Sequence, residues 1–320
     1  TLRRATKPRP ADDPAWLAEL RTTVETPGHG LPTDYDTFLA HPLATWLETT
    51  FGTTEEQGSG RLVRIRTPRS VTLSPVSWII FNRPEVYNAF NLDLAKGAFS
   101  ALVRAVDDPA TRVIVFAGAG KSFSVGADVT EVTAAPDPTR IIGELATIAH
   151  RAIVEVRQSP KPVLAAVNRL AAGYGLALAL ASDVRVATER VRLRYAYSTI
   201  GLTGDGGINW TLPRMTGTAR ALEVALLGED IHEREAEKMG IITKFFPDDR
   251  LVDETQAIAE RIAAIPAKTA SAIKRMVYGS AGMDLLVHLS VEHAALLEAT
   301  SAPEFGIMLD RLLAGFSRKG

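Results

Sequence analysis

The sequence contains no cysteine. This absence excludes disulfide bonds, iron–sulfur clusters, cysteine-ligated zinc and thiol catalysis. The six histidines show no ligand spacing such as HExxH, and we therefore expect no metal site. No uninterrupted apolar run approaches the roughly 20 residues of a membrane-spanning helix, and no apolar signal segment follows the first basic residues. These absences lead us to expect a cytoplasmic protein.

Positively and negatively charged residues are nearly balanced, and the formal net charge is −1. A global field that recruits nucleic acid or an anionic membrane is therefore not expected. Hydrophobic residues make up 46% and charged residues 23% of the 320 residues, proportions typical of a globular protein. This length allows one large domain with an appendage, or two domains.

The chain divides into three stretches of different pattern. Residues 1–60 contain two candidate helices, which are too short to form a core alone, so we expect them to pack on the main domain or on a neighbouring subunit. Residues 61–265 alternate between short apolar strands and helices, which predicts an α/β core with parallel pairing. Residues 266–320 are predicted to form a helical carboxy-terminal region. The predicted strands are 61–66, 71–81, 112–117 and 163–167, and the predicted helices include 92–106 and 140–157.

The segment at residues 168–183 gives the first indication of chemistry. An apolar strand at 162–167 precedes it, and Gly173 and Gly175 lead into a stretch of good helix formers. A strand that turns at glycines into a helix leaves free backbone N–H groups where the helix dipole favours negative charge. The segment is therefore predicted to hold an anion, or an oxygen that becomes one. It is not a dinucleotide-binding fingerprint, because Leu178 stands where the third glycine is required.

Four ordered motifs punctuate the core. They are FNRPEVYNAF at 81–90, AGAGKSFSVGADV at 117–129, NRLAAGYGLALALASD at 168–183 and GLTGDGGINWTLPR at 201–214. Together they resemble the crotonase (enoyl-CoA hydratase/isomerase) superfamily, whose patterns are NRPxxxNAL, GxGxxFxxGADI, AVNGxAxGGGxxLAxxxD and GLxPDGGGxWxLPR. The resemblance runs from about residue 61 to the end of the sequence and leaves residues 1–60 outside it.

This resemblance implies a spiral of ββα repeats with carboxy-terminal helices that mediate trimers or dimers of trimers. It also implies an enzyme for acyl thioesters of coenzyme A, in which CoA is part of the substrate and no further cofactor is needed. Removing a proton next to a thioester carbonyl places charge on its oxygen, so preorganised N–H donors accelerate that step. By position in the motifs, the donors of this oxyanion hole are the backbone amides of Ala89 and Tyr174.

Further substrate contacts are implied by the same motifs. The segment 125–129 resembles the family's adenine and pantetheine contact, where the ligand meets main chain. Lys274 resembles a basic residue that meets the CoA phosphates, with a solvated surface lysine as the alternative. For Asp128 the alternative is a loop-capping carboxylate. The implied contacts are Val86, Val125, Gly126, Ala127, Asp128, Val129, Gly173, Tyr197, Trp210 and Lys274.

The acidic positions depart from those of a hydratase. Family hydratases use two glutamates to activate and deliver water, and these positions correspond to Ala177 and Tyr197. Asp205 remains as a single carboxylate, where family isomerases carry their lone acid and aroyl-CoA dehalogenases carry a nucleophile. An apolar pocket would raise the pKa of such a base, and Tyr195, Tyr197, Ile208 and Trp210 are candidate walls. The alternative is that Asp205 caps the next helix.

The sequence therefore resembles an isomerase-like branch of the family. One base can remove a proton from C2 of a 3-enoyl thioester and return it to C4, so Asp205 is the expected proton shuttle of an enoyl-CoA isomerase. Hydration, decarboxylation, C–C bond formation and cofactor-free oxygenation remain alternatives, as does a carrier-protein-bound polyketide intermediate as substrate. A non-catalytic acyl-CoA-binding protein is a further alternative. RNA binding, which one family branch shows, is disfavoured by the balanced charge.

Overall fold

The computed structural model describes residues 63–66 and 75–317, with side chains from residue 75 to residue 314. All of these residues belong to the second of the two units into which the chain divides, Gln57–Gly320. The helices predicted within residues 1–60 lie outside the described residues. In the described part, none of the helices combines the length and the apolar composition needed to cross a bilayer.

Strands and helices alternate along the described core. Strands β1 to β9 are Val63–Arg66, Val76–Phe81, Val113–Gly118, Val163–Val167, Leu170–Ala172, Val184–Thr188, Arg192–Arg194, Ile231–His232 and Phe245–Phe246. Helices α1 to α11 are Leu92–Asp107, Val129–Ala134, Pro138–Gln158, Tyr174–Ala181, Ile208–Thr216, Thr218–Leu227, Glu233–Lys238, Leu251–Ala263, Ala267–Ser280, Leu285–Thr300 and Pro303–Ser317. Short 3₁₀ turns occupy Pro84–Val86 and Tyr197–Ile200.

Six strands form the main sheet, in the order β1-β2-β3-β4-β6-β9. Only β1 is antiparallel to its neighbour, and the pairs from β2 to β9 are parallel. A second sheet contains β5, β7 and β8. Because parallel strands end at the same edge of a sheet, the loops after β2, β3 and β4 lie side by side. The predicted α/β class with parallel pairing is confirmed, and so is the helical carboxy-terminal region.

The central strands are apolar on both faces because helices cover both faces. Val76, Trp78, Val113, Val115 and Leu164 pack with α8 in one buried cluster. The alternate side chains of β2 and β3 face the other way, where Phe81 packs on Phe116 and on Phe90. Helix α1 lies on this second face and against α3. The sheet edge that carries the motifs is therefore enclosed by α1 and α3.

Candidate active site

Helix α4 begins at Tyr174, directly after the short strand β5. Its N-cap is Gly173, with φ 53° and ψ −128°, a conformation that essentially only glycine adopts. No side chain caps this helix, and among the described residues no acceptor pairs with the Tyr174 amide. The start of α4 thus presents an unpaired N–H group at the positive end of the helix dipole, where an anionic oxygen is stabilised.

The backbone near Ala89 and the start of α4 meet at Gly126. The amide of Phe90, next to Ala89, donates to the carbonyl oxygen of Gly126 at 2.7 Å. On the other side, a Cβ atom on Gly126 would lie 3.0 Å from the Tyr174 nitrogen, so a side chain there would crowd this N–H group. The Ala89 amide donates to the Val86 carbonyl at 3.1 Å. An incoming oxygen would therefore share the Ala89 N–H group with the Val86 carbonyl. The Tyr174 N–H group would bond that oxygen alone.

Asn88 fixes the backbone that carries Ala89. Asn88 is completely buried, and its φ of 56° is left-handed. Its Nδ2 donates to the carbonyls of Ala119 at 2.9 Å and Ser122 at 2.8 Å, and its Oδ1 accepts from the Arg83 amide at 2.9 Å. Asparagine tolerates left-handed backbone better than most residues, and these three bonds hold it there. The Asn of the first motif therefore orients the Ala89 amide.

The side chain of Asp128 caps the amino-terminal end of helix α2. Its Oδ1 accepts from the amides of Thr130 and Glu131 at 3.1 and 3.3 Å, which caps α2. Its Oδ2 accepts from the Arg83 guanidinium at 2.8 Å, and the same guanidinium nitrogen donates to the Ala89 carbonyl at 2.7 Å. Both carboxylate oxygens of Asp128 are therefore occupied, and a contact between the main chain of Asp128 and the substrate stays a prediction.

An apolar cavity of about 40 Å³ adjoins the start of α4. Helix α1 contributes Phe99 and Leu102 to its wall, α3 contributes Ile148, and the Tyr174 side chain closes one side. Asp205 provides the single carboxylate among the lining residues. A thioester held at the start of α4 would therefore meet hydrocarbon surroundings and one acid.

Asp205 lies on a glycine-rich loop between the 3₁₀ turn Tyr197–Ile200 and α5. Its Oδ1 accepts a hydrogen bond from the Tyr197 hydroxyl. The N-cap of α5 is Gly207, and no side chain caps that helix. The helix-capping alternative for Asp205 is therefore wrong, since the carboxylate bonds a phenol and lines the cavity instead.

Four ionisable side chains respond to the charge of Asp205, namely His150, Tyr174, Tyr195 and Tyr197. Burial, and to a smaller extent this charge, raises the pKa of both Tyr174 and Tyr197 well above the ordinary value of 10.0, so both phenols stay protonated at neutral pH. Burial lowers the pKa of His150 below its ordinary 6.5, and the Asp205 charge opposes that effect. No sequence motif identifies His150, because α3 approaches the Asp205 loop only in the folded chain. The described residues contain no cluster of three His, Asp or Glu side chains suited to a metal ion.

The two positions that hold glutamate in hydratases differ here in shape as well as charge. Ala177 is buried in α4, and its Cβ would lie only 2.9 Å from a Cβ atom placed on Gly206. A side chain at position 206 would therefore press on Ala177, so the Asp205 loop lies close against α4. Tyr197, at the other position, donates its hydroxyl hydrogen to Asp205. The lining of the described cavity thus contains one carboxylate, that of Asp205.

Two implied substrate contacts need correction. Trp210 is absent from the cavity wall; it is 53% exposed and its ring lies 3.8 Å from the Arg214 guanidinium. Lys274 is buried, donates to the Val156 carbonyl at 2.7 Å and pairs with Asp183 at 2.8 Å. Its ammonium is therefore used inside the fold and is not exposed to a phosphate. The lining of the cavity also lacks three residues expected as its walls, Tyr195, Tyr197 and Ile208, and the Tyr197 hydroxyl bonds Asp205 instead. Ala127 does line the cavity. The remaining implied contacts, Val86, Val125, Gly126, Val129 and Gly173, stay predictions.

The fold and the site define a class of protein: an α/β chain that offers a helix start, an apolar cavity and a single acid to an acyl group. Residues 72–305 match the family model described as enoyl-CoA hydratase/isomerase. The chain belongs to the enoyl-CoA hydratase/isomerase family.

The chain is similar to relatives named as hydratases and to relatives named as isomerases. The probable enoyl-CoA hydratase echA12 of Mycobacterium leprae (strain TN) is 37% identical over 232 residues, which cover 69% of this chain and 78% of that protein. The 1,2-epoxyphenylacetyl-CoA isomerase of Escherichia coli (strain K12) is 32% identical over 221 residues, which cover 68% and 84%. A crystal structure of a probable enoyl-CoA hydratase/isomerase from Mycobacterium abscessus has a TM-score of 0.66 at 33% identity, covering 74% of this chain and 90% of that one.

Proposed function

We propose that the protein is a double-bond isomerase for enoyl thioesters of coenzyme A and that Asp205 is its proton shuttle. The observation that carries the proposal is the single carboxylate in the cavity wall. Of the two hydratase positions, Ala177 has no ionisable group, and the raised pKa of the Tyr197 phenol prevents it from acting as a base at neutral pH. The Escherichia coli relative is named as an isomerase of another CoA thioester, 1,2-epoxyphenylacetyl-CoA, which supports the isomerase class of the proposal.

In the proposed reaction, a 3-enoyl thioester places its carbonyl oxygen at the amides of Ala89 and Tyr174. Asp205 removes a proton from C2, and the electron pair moves onto the carbonyl oxygen, where the two N–H groups stabilise it. Asp205 then returns the proton to C4 while the double bond moves from C3–C4 to C2–C3. Proton count and net charge are unchanged and no water is consumed, so one carboxylate is sufficient.

Conversion of a 3-enoyl-CoA to its 2-enoyl isomer by the purified protein tests this proposal. Asp205→Asn preserves the size of the side chain and removes the base, so we expect the rate to fall by roughly 10³-fold. Asp137→Asn is the matched control, because Asp137 caps α3 through the Arg140 amide at 3.0 Å and asparagine caps helices equally well. An Asp205→Asn variant with the wild-type rate would remove Asp205 from the mechanism. Wild-type protein that binds the thioester without turnover would instead indicate a non-catalytic family member.

Hydration is the second candidate, and the name of the Mycobacterium leprae relative favours it. Incubation of a 2-enoyl-CoA in ¹⁸O-labelled water distinguishes the two reactions, because only hydration adds labelled oxygen to the product. Repeating both assays with the acyl group on an acyl carrier protein compares the two thioester carriers. A labelled product at a rate above that of isomerisation would make hydration the principal reaction.

A homotrimer, or a dimer of trimers, is proposed as the assembly. Helix α10 has no buried residue in the single chain. Its leucines at 285, 286, 289, 296 and 297 are all exposed, and apolar surface of this kind marks interfaces between chains. Sedimentation equilibrium tests the assembly, since the chain mass is 34.5 kDa. A species of that single-chain mass at micromolar concentration would contradict the proposal.

A further inference from the structure

The hydroxyl of Tyr197 occupies one side of the Asp205 carboxylate. Tyr197 opens the 3₁₀ turn before the loop, is 9% exposed and donates to Asp205 Oδ1. Among the described residues, no donor is paired with Oδ2. One carboxylate oxygen is therefore held by the protein, and the other is left for a ligand in the cavity.

The loop that carries Asp205 has little stiffness of its own. Gly204, Gly206 and Gly207 all have positive φ, at 91°, 57° and 69°, and glycine is the residue with the greatest backbone freedom. A hydrogen bond to the carboxylate itself therefore has a larger effect on side-chain position here than it would in a rigid element.

A second tyrosine holds the same loop by its backbone. The Tyr195 hydroxyl donates to the Thr203 carbonyl at 2.6 Å and would lie 2.4 Å from a Cβ atom at Gly204. The rings of Tyr195 and Tyr197 meet edge to face, with centroids 5.2 Å apart. Tyr195 thus fixes where the loop runs, and Tyr197 fixes where the carboxylate points.

We propose that Tyr197 is the positioning residue of the proton shuttle, and that its hydroxyl, by holding Oδ1 of Asp205, aims Oδ2 at the reacting carbon. This inference rests on the proposed isomerase function. Catalytic side chains are held in their productive geometry by hydrogen bonds from neighbouring residues. The other titratable groups that face Asp205 are His150 from α3, Tyr174 from α4 and Tyr195.

Tyr197→Phe tests the inference because it removes the donor and retains the packed ring. We expect kcat to fall by roughly tenfold with KM nearly unchanged, since 1 Å misplacements of this kind reduce turnover. Tyr278→Phe is the matched control, because it removes a phenol bond of 2.7 Å to Asp183, away from the cavity.

A direct spectroscopic measurement separates this inference from the proposed reaction. Carbon-13 carboxyl NMR of aspartate-labelled protein follows Asp205, which the spectrum of Asp205→Asn assigns. We expect the Asp205 carboxyl resonance to shift in Tyr197→Phe, because its hydrogen bond is lost, and to stay unchanged in Tyr278→Phe, whether or not a 3-enoyl thioester is turned over. An unchanged resonance in Tyr197→Phe would overturn the inference even if wild-type isomerase activity is found. If Tyr197→Phe does not fold, a fluorinated tyrosine at position 197, a stronger donor, should also shift the resonance, and no change would again overturn the inference.

Discussion

Asn88→Ala is expected to cost far more stability than its position in a loop suggests. The substitution removes three hydrogen bonds of a buried side chain, with the Arg83 amide and with the carbonyls of Ala119 and Ser122. At about 1 kcal/mol for each bond, the loss is about 3 kcal/mol. Alanine is also less favourable than asparagine at a φ of 56°, which adds about 1 kcal/mol. We therefore expect the free energy of unfolding to fall by about 4 kcal/mol.

Urea denaturation followed by circular dichroism measures this change. Asn91→Ala is the control, since Asn91 makes a single capping bond to the Leu94 amide at 2.9 Å and its loss costs about 1 kcal/mol. Turnover of a 3-enoyl-CoA should also fall in Asn88→Ala, because the Ala89 amide loses its support, and should be retained in Asn91→Ala. Equal stability losses in the two variants would refute the assignment of Asn88 as the residue that fixes the Ala89 backbone.

Two further predictions concern the surroundings of Asp205. The unfolded chain takes up a proton at His150 below pH 6.5, whereas burial keeps the folded side chain neutral to lower pH, so folding stability falls as pH decreases from 6.5. His150→Gln should lose less stability than wild type between pH 7 and the acid limit of folding, as urea titrations at several pH values would show; parallel curves would contradict this. Gly206→Ala should cost about 3 kcal/mol, because φ is 57° and the new Cβ would lie 2.9 Å from a neighbouring carbon. Gly201→Ala, with φ 75° and no atom within 4 Å, should cost only about 1 kcal/mol, and equal losses would exclude the steric contribution.

Helices and strands whose position depends on nearby residues could be predicted from apolar periodicity and glycine spacing. The apolar periodicity of residues 92–106 predicts α1, observed at Leu92–Asp107, and residues 163–167 match β4. Glycine spacing also locates the start of α4, because a turn from strand to helix needs residues that accept unusual φ and ψ. Strand β5 was missed, since its three residues, Leu170–Ala172, pair with β7 rather than with the main sheet.

Contacts between distant segments account for what the sequence did not reveal. The residues around Lys274 have the composition of a surface helix. Only in the folded chain does Asp183 come within 2.8 Å of the Lys274 ammonium. Trp210 lies in the same motif as Asp205, yet α5 turns its ring outward onto Arg214. Because side-chain direction depends on helix phase and on neighbouring elements, a family motif identifies a position more reliably than it identifies a contact.

The two substitutions at the hydratase glutamate positions are coupled through the Asp205 loop. A small residue at 177 and glycine at 206 allow the loop to approach α4, where their Cβ positions would be only 2.9 Å apart. Alanine at 177 adds no negative charge beside this loop, and tyrosine at 197 supplies a hydrogen-bond donor to Asp205 in place of a second acid. A second carboxylate would repel the Asp205 carboxylate, whereas the buried phenol holds it. The coupling therefore favours a site organised around one carboxylate over a degenerate two-acid site.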